Sequence, residues 1–292
     1  MTIERYFTID GEIVHFEAGQ TILQAALAAG VFIPHLCFHP DFGPHASCKL
    51  CTVTVDGRNS SACAMPAMPG QEVHSDTPEL NARRRVLLQM LFVEGNHFCP
   101  GCAKSGNCKL QALGYELEMF NAHYAHYYPS RGVDATHPDV ILERNRCIMC
   151  ELCVRASRDV DGKNVFGLAG RGRASHLVIN SPSGKLGDTG LMLSDKAAHV
   201  CPVGAIMPKR TGYSVPIGER LFDHESLGQK VKKHTEWRSS SAERDSAPKE
   251  LCSSSAERDS AAKELCSSGA ERDGSTKELV NGSGAAGSVK EG

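Results

Sequence analysis

The sequence predicts an α+β chain assembled from several small modules, and three observations predict it. The first part of the chain runs strand, strand, helix, loop, strand, which is the order of a β-grasp domain. Eleven of the thirteen cysteines fall into three tight groups spread over the first 201 residues. From residue 239 a 14-residue unit repeats with almost no large apolar side chains. A chain of 292 residues has room for two average domains, or for more numerous small ones if each is nucleated by something other than a large core.

The elements follow in order. Residues 2–8 and 12–16 read as short strands joined at Asp10-Gly11, a pair suited to a tight hairpin because glycine tolerates positive φ. Thr21 caps a helix whose apolar stripe is Ile22, Leu23, Ala26 and Leu27, and Gly30 ends it. After a loop rich in His, Pro and Cys, residues 51–56 alternate like a strand and Asp56-Gly57 supplies a second turn. Thr77 or Asp76 opens a second helix through Leu80, Val86, Leu87, Met90 and Leu91, stopped by Gly95. His97 and three cysteines follow at once. A further helical stretch at 110–119 leads into an aromatic, His-rich run at 123–128. Between 139 and 210, two cysteine elements flank a glycine-rich segment, 162–190, expected to form hairpins and turns.

The tail reads SAERDSAPKELCSS, SAERDSAAKELCSS and a degraded GAERDGSTKELVNG. Fourteen residues make two heptads, but one Leu and a few Ala per unit give a coiled-coil seam little to bury, so a disordered tail is expected. Cys252 and Cys266 recur there singly and are expected to be spare thiols.

Composition narrows the function. A formal net charge of −2 and a sequence pI near 6.7 leave no basic footprint for nucleic acid. The first residues carry Glu4 and Arg5 with no apolar run behind them, so no secretory signal is expected. The longest apolar stretch, 86–93, is broken by Gln89 and is far too short to span a bilayer. A cytoplasmic protein without a transmembrane segment is the expectation. Thirteen cysteines in such a chain point to metal, because the cytosol keeps thiols reduced and disulfide frameworks belong to secreted domains.

The first group is Cys37, Cys48, Cys51 and Cys63, spaced C-x10-C-x2-C-x11-C. Four thiolates on a long loop suit a [2Fe-2S] cluster, two per iron, with Gly43, Pro44 and Ala46 allowing close backbone approach. The spacing departs from the plant-type run C-x4-C-x2-C, and four cysteines also describe a structural zinc site. The second group, Cys99, Cys102 and Cys108, leaves a [4Fe-4S] cubane one ligand short; His97 beside it is the candidate fourth, with His123 and His126 as competitors. The third group is the most specific: Cys147, Cys150 and Cys153 at three-residue intervals, then Cys201-Pro202 after 47 residues, the arrangement that closes a cubane in bacterial-type ferredoxins. The expected inventory is one [2Fe-2S] and two [4Fe-4S] clusters.

Motifs that would carry catalysis are missing from the sequence. The glycine-rich string from Gly167 to Gly172 lacks the GxGxxG order of a dinucleotide fingerprint, and no pair of CxxC motifs stands at opposite ends of the chain as a nickel–iron site would require. Catalysis is therefore expected on partners, with this chain conducting electrons.

The motif order resembles the N-terminal part of the large iron–sulfur subunit of respiratory complex I over about residues 1–235. The strings EGNHFCPGCAKSGNCKLQALGYE, RCIMCELCVRASRDVDGKNVFG and DKAAHVCPVGAI look more closely like the stand-alone diaphorase iron–sulfur subunits of soluble NAD-reducing [NiFe] hydrogenases. In complex I the cubane histidine stands at H-x3-C, whereas His97 stands at H-x-C. The resemblance implies a flavoprotein diaphorase partner carrying FMN and NAD(H), and hydrogenase small and large subunits holding the Ni-Fe site. Under it the chain divides into a β-grasp [2Fe-2S] domain at 1–77, a His/Cys3 [4Fe-4S] module at 78–138, a ferredoxin-like [4Fe-4S] domain with an extension at 139–237, and the repeat tail at 238–292. The same wire would serve an NAD-dependent formate dehydrogenase or a complex I-like NADH dehydrogenase. A non-redox zinc scaffold is the alternative from another class.

Overall fold

The computed structural model describes residues 5–128 and 130–240. The repeat tail, with Cys252 and Cys266, lies outside the described residues, as do the first residues of the expected strand at 2–8.

The N-terminal hairpin forms as the Asp10-Gly11 turn requires: β1 (Tyr6–Ile9) pairs antiparallel with β2 (Glu12–His15), and Gly11 takes φ +88°. Helix α1 (Ile22–Ala28) starts on a capping box, in which the Thr21 hydroxyl accepts from the Gln24 amide and the Gln24 side chain accepts from the Thr21 amide. A long loop leads to β3 (Thr52–Val55) and β4 (Arg58–Ser61), and β5 (Glu72–His74) follows. The five strands lie in the order β2-β1-β5-β3-β4, with β1 and β5 parallel and the other pairs antiparallel. Phe7, Ile9, Val14, Val53, Val55 and Val73 from the sheet close on Ile22, Leu23, Ala25 and Ala26 of α1, giving the β-grasp arrangement.

Helix α2 (Pro78–Glu94) begins at the Thr77 cap and ends at Gly95 as expected, but it turns a different face inward. The buried residues are Leu80, Arg84, Leu88, Gln89 and Val93, while Val86 and Met90 of the expected stripe are exposed. The reason is tertiary. Arg84 reaches four acceptors on residues 50–75 and a fifth, Asn81, on its own helix, and Leu87 and Leu91 at the edge of the stripe pack half-buried against the core beside them.

Beyond α2 come α3 (Lys109–Glu116), β6 (Val133–Asp134), β7 (Val140–Glu143) and the short helix α4 (Leu152–Arg155). The glycine-rich segment supplies the antiparallel hairpin of β8 (Phe166–Ala169) and β9 (His176–Ile179). Helix α5 (Lys196–His199), β10 (Ile206–Pro208) and α6 (Leu227–Ser240) complete the described fold, with β10, β7 and β6 forming a second, antiparallel sheet. One hydrophobic core joins Leu36 and Leu50 of the first loop, Leu88 of α2, Leu110 and Leu113 of α3, and Leu142, Leu152, Phe166 and Ala198. The cysteine groups are therefore built into one packed body. Among the described residues no helix is long and apolar enough to cross a membrane.

Candidate iron–sulfur sites

The loop from α1 to β3 carries Cys37 and Cys48 and delivers Cys51 to the start of β3, while Cys63 follows β4 across the hairpin. Non-glycine residues Ala46 and Lys49 adopt left-handed backbone at φ +55° and +56°, turning the chain sharply on either side of Cys48. The sulfurs meet in two pairs. Cys37 Sγ lies 3.4 Å from Cys48 Sγ, and the Cys48 amide points at Cys37 Sγ from 3.5 Å. The Cys51 and Cys63 thiols share a hydrogen bond of their own. In each pair one thiol donates to the other, so Cys37 and Cys51 are pushed up while Cys48 and Cys63 are held below the ordinary thiol range. Two sulfur pairs, one on the wrapped loop and one across the β3–β4 hairpin, is a donor pattern that suits two bridged irons.

The second group hangs between α2 and α3. Gly95 ends α2, Cys99 and Cys102 bracket a single 3₁₀ turn closed by a bond from the Cys102 amide to the Cys99 carbonyl at 3.1 Å, and Cys108 precedes α3. Burial raises Cys99, and raises Cys108 to about 12. The His97 ring packs edge-on against Phe92 at 5.6 Å, and its Nε2 is shut off from water without a hydrogen-bond partner. Burial, with Arg146 nearby, pushes its pKa down to about 4, so the imidazole is neutral with a free lone pair. The competing histidines are exposed: His123 stands in solvent, and His126 stacks on Tyr128 and lines a groove that also holds Cys99. The backbone here leaves no slack. A methyl group on Gly204 would stand 2.9 Å from Cys102 Sγ, and one on Gly95 would stand 2.6 Å from His97 Nε2.

The third group closes on itself. Cys147, Cys150, Cys153 and Cys201 line one small cavity whose other walls include Leu168, Leu177, Val203 and Ile206. Met149 and Glu151 take φ +50° and +57°, which curls the chain between successive cysteines, and the Met149 amide points at Cys147 Sγ from 3.4 Å. Burial raises Cys147 to about 11 and lifts Cys150 and Cys153 further. Such thiols resist ionising in an apolar pocket, and a cationic metal centre held by them would offset the cost of forming the thiolates. Among the described residues no three His, Cys, Asp or Glu converge as they would on a single ion. The sulfurs instead surround a space, and the donor set fits a cubane.

Sequence reasoning did not find the polar seam between the first and third groups. Arg155 of α4, two residues after Cys153, donates to the carbonyls of Gly43 (2.9 Å) and Cys37. His45 Nε2 faces Glu151 Oε1 at 3.4 Å, and Lys196 Nζ faces Asp41 at 2.9 Å. No local pattern marks these residues. Buried Arg84, by contrast, had a signal in the four-residue spacing Leu80, Arg84, Leu88.

Comparison with known proteins accords with this geometry. Residues 6–78 match the 2Fe-2S iron–sulfur cluster binding domain, residues 84–123 the NADH-ubiquinone oxidoreductase-G iron–sulfur binding region, and residues 140–207 the 4Fe-4S single cluster domain. The chain is 34% identical over 212 residues to the NADH-ubiquinone oxidoreductase 78 kDa subunit of Candida albicans, covering 69% of this chain and 28% of that one. Fold and sites together define an iron–sulfur electron-transfer subunit of an oxidoreductase complex. Similarity to the NAD-reducing hydrogenase HoxS subunit gamma of Cupriavidus necator is higher, at 38% identity over 221 residues, covering 75% of this chain and 94% of that protein. A chain in the crystal structure of an NAD+-reducing [NiFe]-hydrogenase in the H2-reduced state is 52% identical, superposes with a TM-score of 0.75, and matches 78% of this chain and 98% of its own length. The chain belongs to the family of gamma subunits of NAD-reducing hydrogenases.

Proposed function

We propose that this chain relays single electrons between a [NiFe] hydrogenase module, made of small and large subunits, and a diaphorase partner that binds FMN and NAD(H), so that the assembly reduces NAD+ with H2 reversibly. It does so with one [2Fe-2S] cluster on Cys37, Cys48, Cys51 and Cys63, one [4Fe-4S] cluster on His97, Cys99, Cys102 and Cys108, and a second on Cys147, Cys150, Cys153 and Cys201. When bound, the clusters supply one-electron redox centres whose potentials the protein sets through ligand type, burial and hydrogen bonds.

The observation that carries the reading is the sorting of the donors. Two sulfur pairs form at the first site, a buried and unpartnered imidazole nitrogen belongs to the residue two before the first of three thiols at the second, and four thiols line one apolar cavity at the third. The chain's own work is to hold these donors in one rigid body, to keep water away, and to aim amides such as those of Cys48 and Met149 at the sulfurs. The hydrogenase assignment is favoured over formate dehydrogenase or complex I by the match along nearly the whole of a hydrogenase gamma subunit.

Anaerobic purification of the native complex tests the reading. Expected are about ten irons per copy of this chain with matching acid-labile sulfide, together with co-eluting nickel and FMN. Zinc in place of iron and no reducible chromophore would overturn it, and molybdenum or tungsten in place of nickel would transfer the relay to a formate dehydrogenase.

A further inference from the structure

We propose that Arg155 is a positioning residue that sets the electrostatics of the step between the [2Fe-2S] cluster and the cubane on Cys147, Cys150, Cys153 and Cys201; the proposal rests on the relay reading above. Its guanidinium is a fixed cation built into the seam between these two sites. It also fixes one against the other.

Arg155 is 6% exposed. Its Nη1 donates to the Gly43 carbonyl at 2.9 Å, its Nη2 donates to the carbonyl of Cys37, and its guanidinium carbon lies 5.5 Å from the centre of the Phe42 ring. Its Nε is buried with no hydrogen-bond partner. Among the described residues the arginines in ion pairs are Arg83, Arg131, Arg158, Arg210 and Arg220, and no carboxylate pairs with Arg155. A guanidinium stays charged, and a buried charge requires compensation. Backbone carbonyls and an aromatic face supply only part of it. The missing anions are the two cluster sites themselves: Cys37, whose carbonyl Arg155 grips, is a ligand of one, and Cys153, one short helical step before Arg155, is a ligand of the other. A cluster held by four thiolates is anionic and gains a further negative charge on each reduction.

A fixed cation shielded from solvent stabilises the reduced, more negative state of each neighbour and so raises both potentials together. The same side chain holds the 37–43 loop on α4, which fixes the separation across which an electron must pass. The hydrogen bonds and ring contact of Arg155 reach Gly43, Cys37 and Phe42 and no residue of the His/Cys3 site. Its effect is therefore confined to two of the three clusters, which separates it from a general change in stability.

The test is a redox titration of the anaerobic native complex followed by electron paramagnetic resonance. Arg155→Gln is expected to lower the midpoint potentials of the [2Fe-2S] cluster and of the cubane on Cys147, with at least a tenfold shift in the reduction equilibrium of the former, about 59 mV for one electron. The His/Cys3 cubane should keep its potential. Arg155→Lys, which restores the charge without the fork, should recover most of the shift. Unchanged potentials in a Gln variant with all three signals would overturn the proposal, as would a Lys variant shifted as far as the Gln one. If the Gln variant fails to assemble, the Lys variant decides. Assembly with near wild-type potentials supports the charge role, and loss of assembly or a tenfold shift overturns it. A wild-type complex without reducible iron–sulfur signals would overturn the relay reading itself, before any variant is compared.

Discussion

Arg84, in the middle of α2, donates from Nε to the carbonyl of Leu50 at 3.0 Å, and Leu50 lies between Cys48 and Cys51. Other nitrogens of the same guanidinium reach the carbonyls of Thr52 and Ser75 at 2.9 and 2.8 Å, the Asn81 side chain and the Ser75 hydroxyl. One side chain thus pins the cysteine-bearing segment around Leu50 to α2.

Replacing Arg84 by Leu leaves three buried carbonyls without their donor, and the cost should be roughly 3 kcal/mol or more. Thermal melts of the complex, followed by the visible absorption of the clusters, should show early loss of the [2Fe-2S] signal. A melting profile equal to that of the wild type would show that the clamp contributes nothing to loop stability.

The third cysteine group is closed, so its loss should be selective. Cys150→Ser is expected to remove one [4Fe-4S] resonance and leave the [2Fe-2S] spectrum in place. If both disappear together, the first and third sites do not assemble independently, and the seam through Arg155 and Asp41–Lys196 would be the place to look.

At the second site, the proposed ligation by His97 makes two substitutions diverge. His97→Cys should keep a cubane at a lower potential, because thiolate adds a negative charge where imidazole has none. His126→Ala should change neither occupancy nor potential. The opposite pattern, with His97→Cys silent and His126→Ala disruptive, would move the fourth ligand to the exposed stretch that lines the Cys99 groove.

Gly204 offers a steric test that involves no ligand. It follows the third group's Cys201 in sequence, yet a Cβ there would crowd Cys102 Sγ of the second group at 2.9 Å and Lys104 Cβ at 3.2 Å. Gly204→Ala should therefore shift or broaden the resonance of the His/Cys3 cubane while the cubane on Cys147 keeps its own. A change confined to the Cys147 cubane would contradict the contact.

Local chemistry made much of this molecule legible before any coordinates. The Asp10-Gly11 hairpin, the Thr21 and Thr77 caps and the stops before Gly30 and at Gly95 depend on interactions between residues a few positions apart. The inward face of α2 was only half legible in that way: the spacing Leu80, Arg84, Leu88 puts Arg84 on one stripe with two buried leucines, but hydropathy alone assigns an arginine to the outside. The burial of Arg84 is decided by acceptors 32 and 34 residues away along the chain.

By itself the sequence determined which candidate donors are grouped, because residue type and spacing are local: cysteines clustered along the chain, with a neighbouring histidine. Only the tertiary structure decided how the sites stand to one another. The bonds from Arg155 to Gly43 and Cys37 join residues 112 and 118 positions apart, and the crowding of Cys102 by Gly204 spans a comparable separation. Such contacts arise from the packing of a shared core and have no signature in the local order of residues.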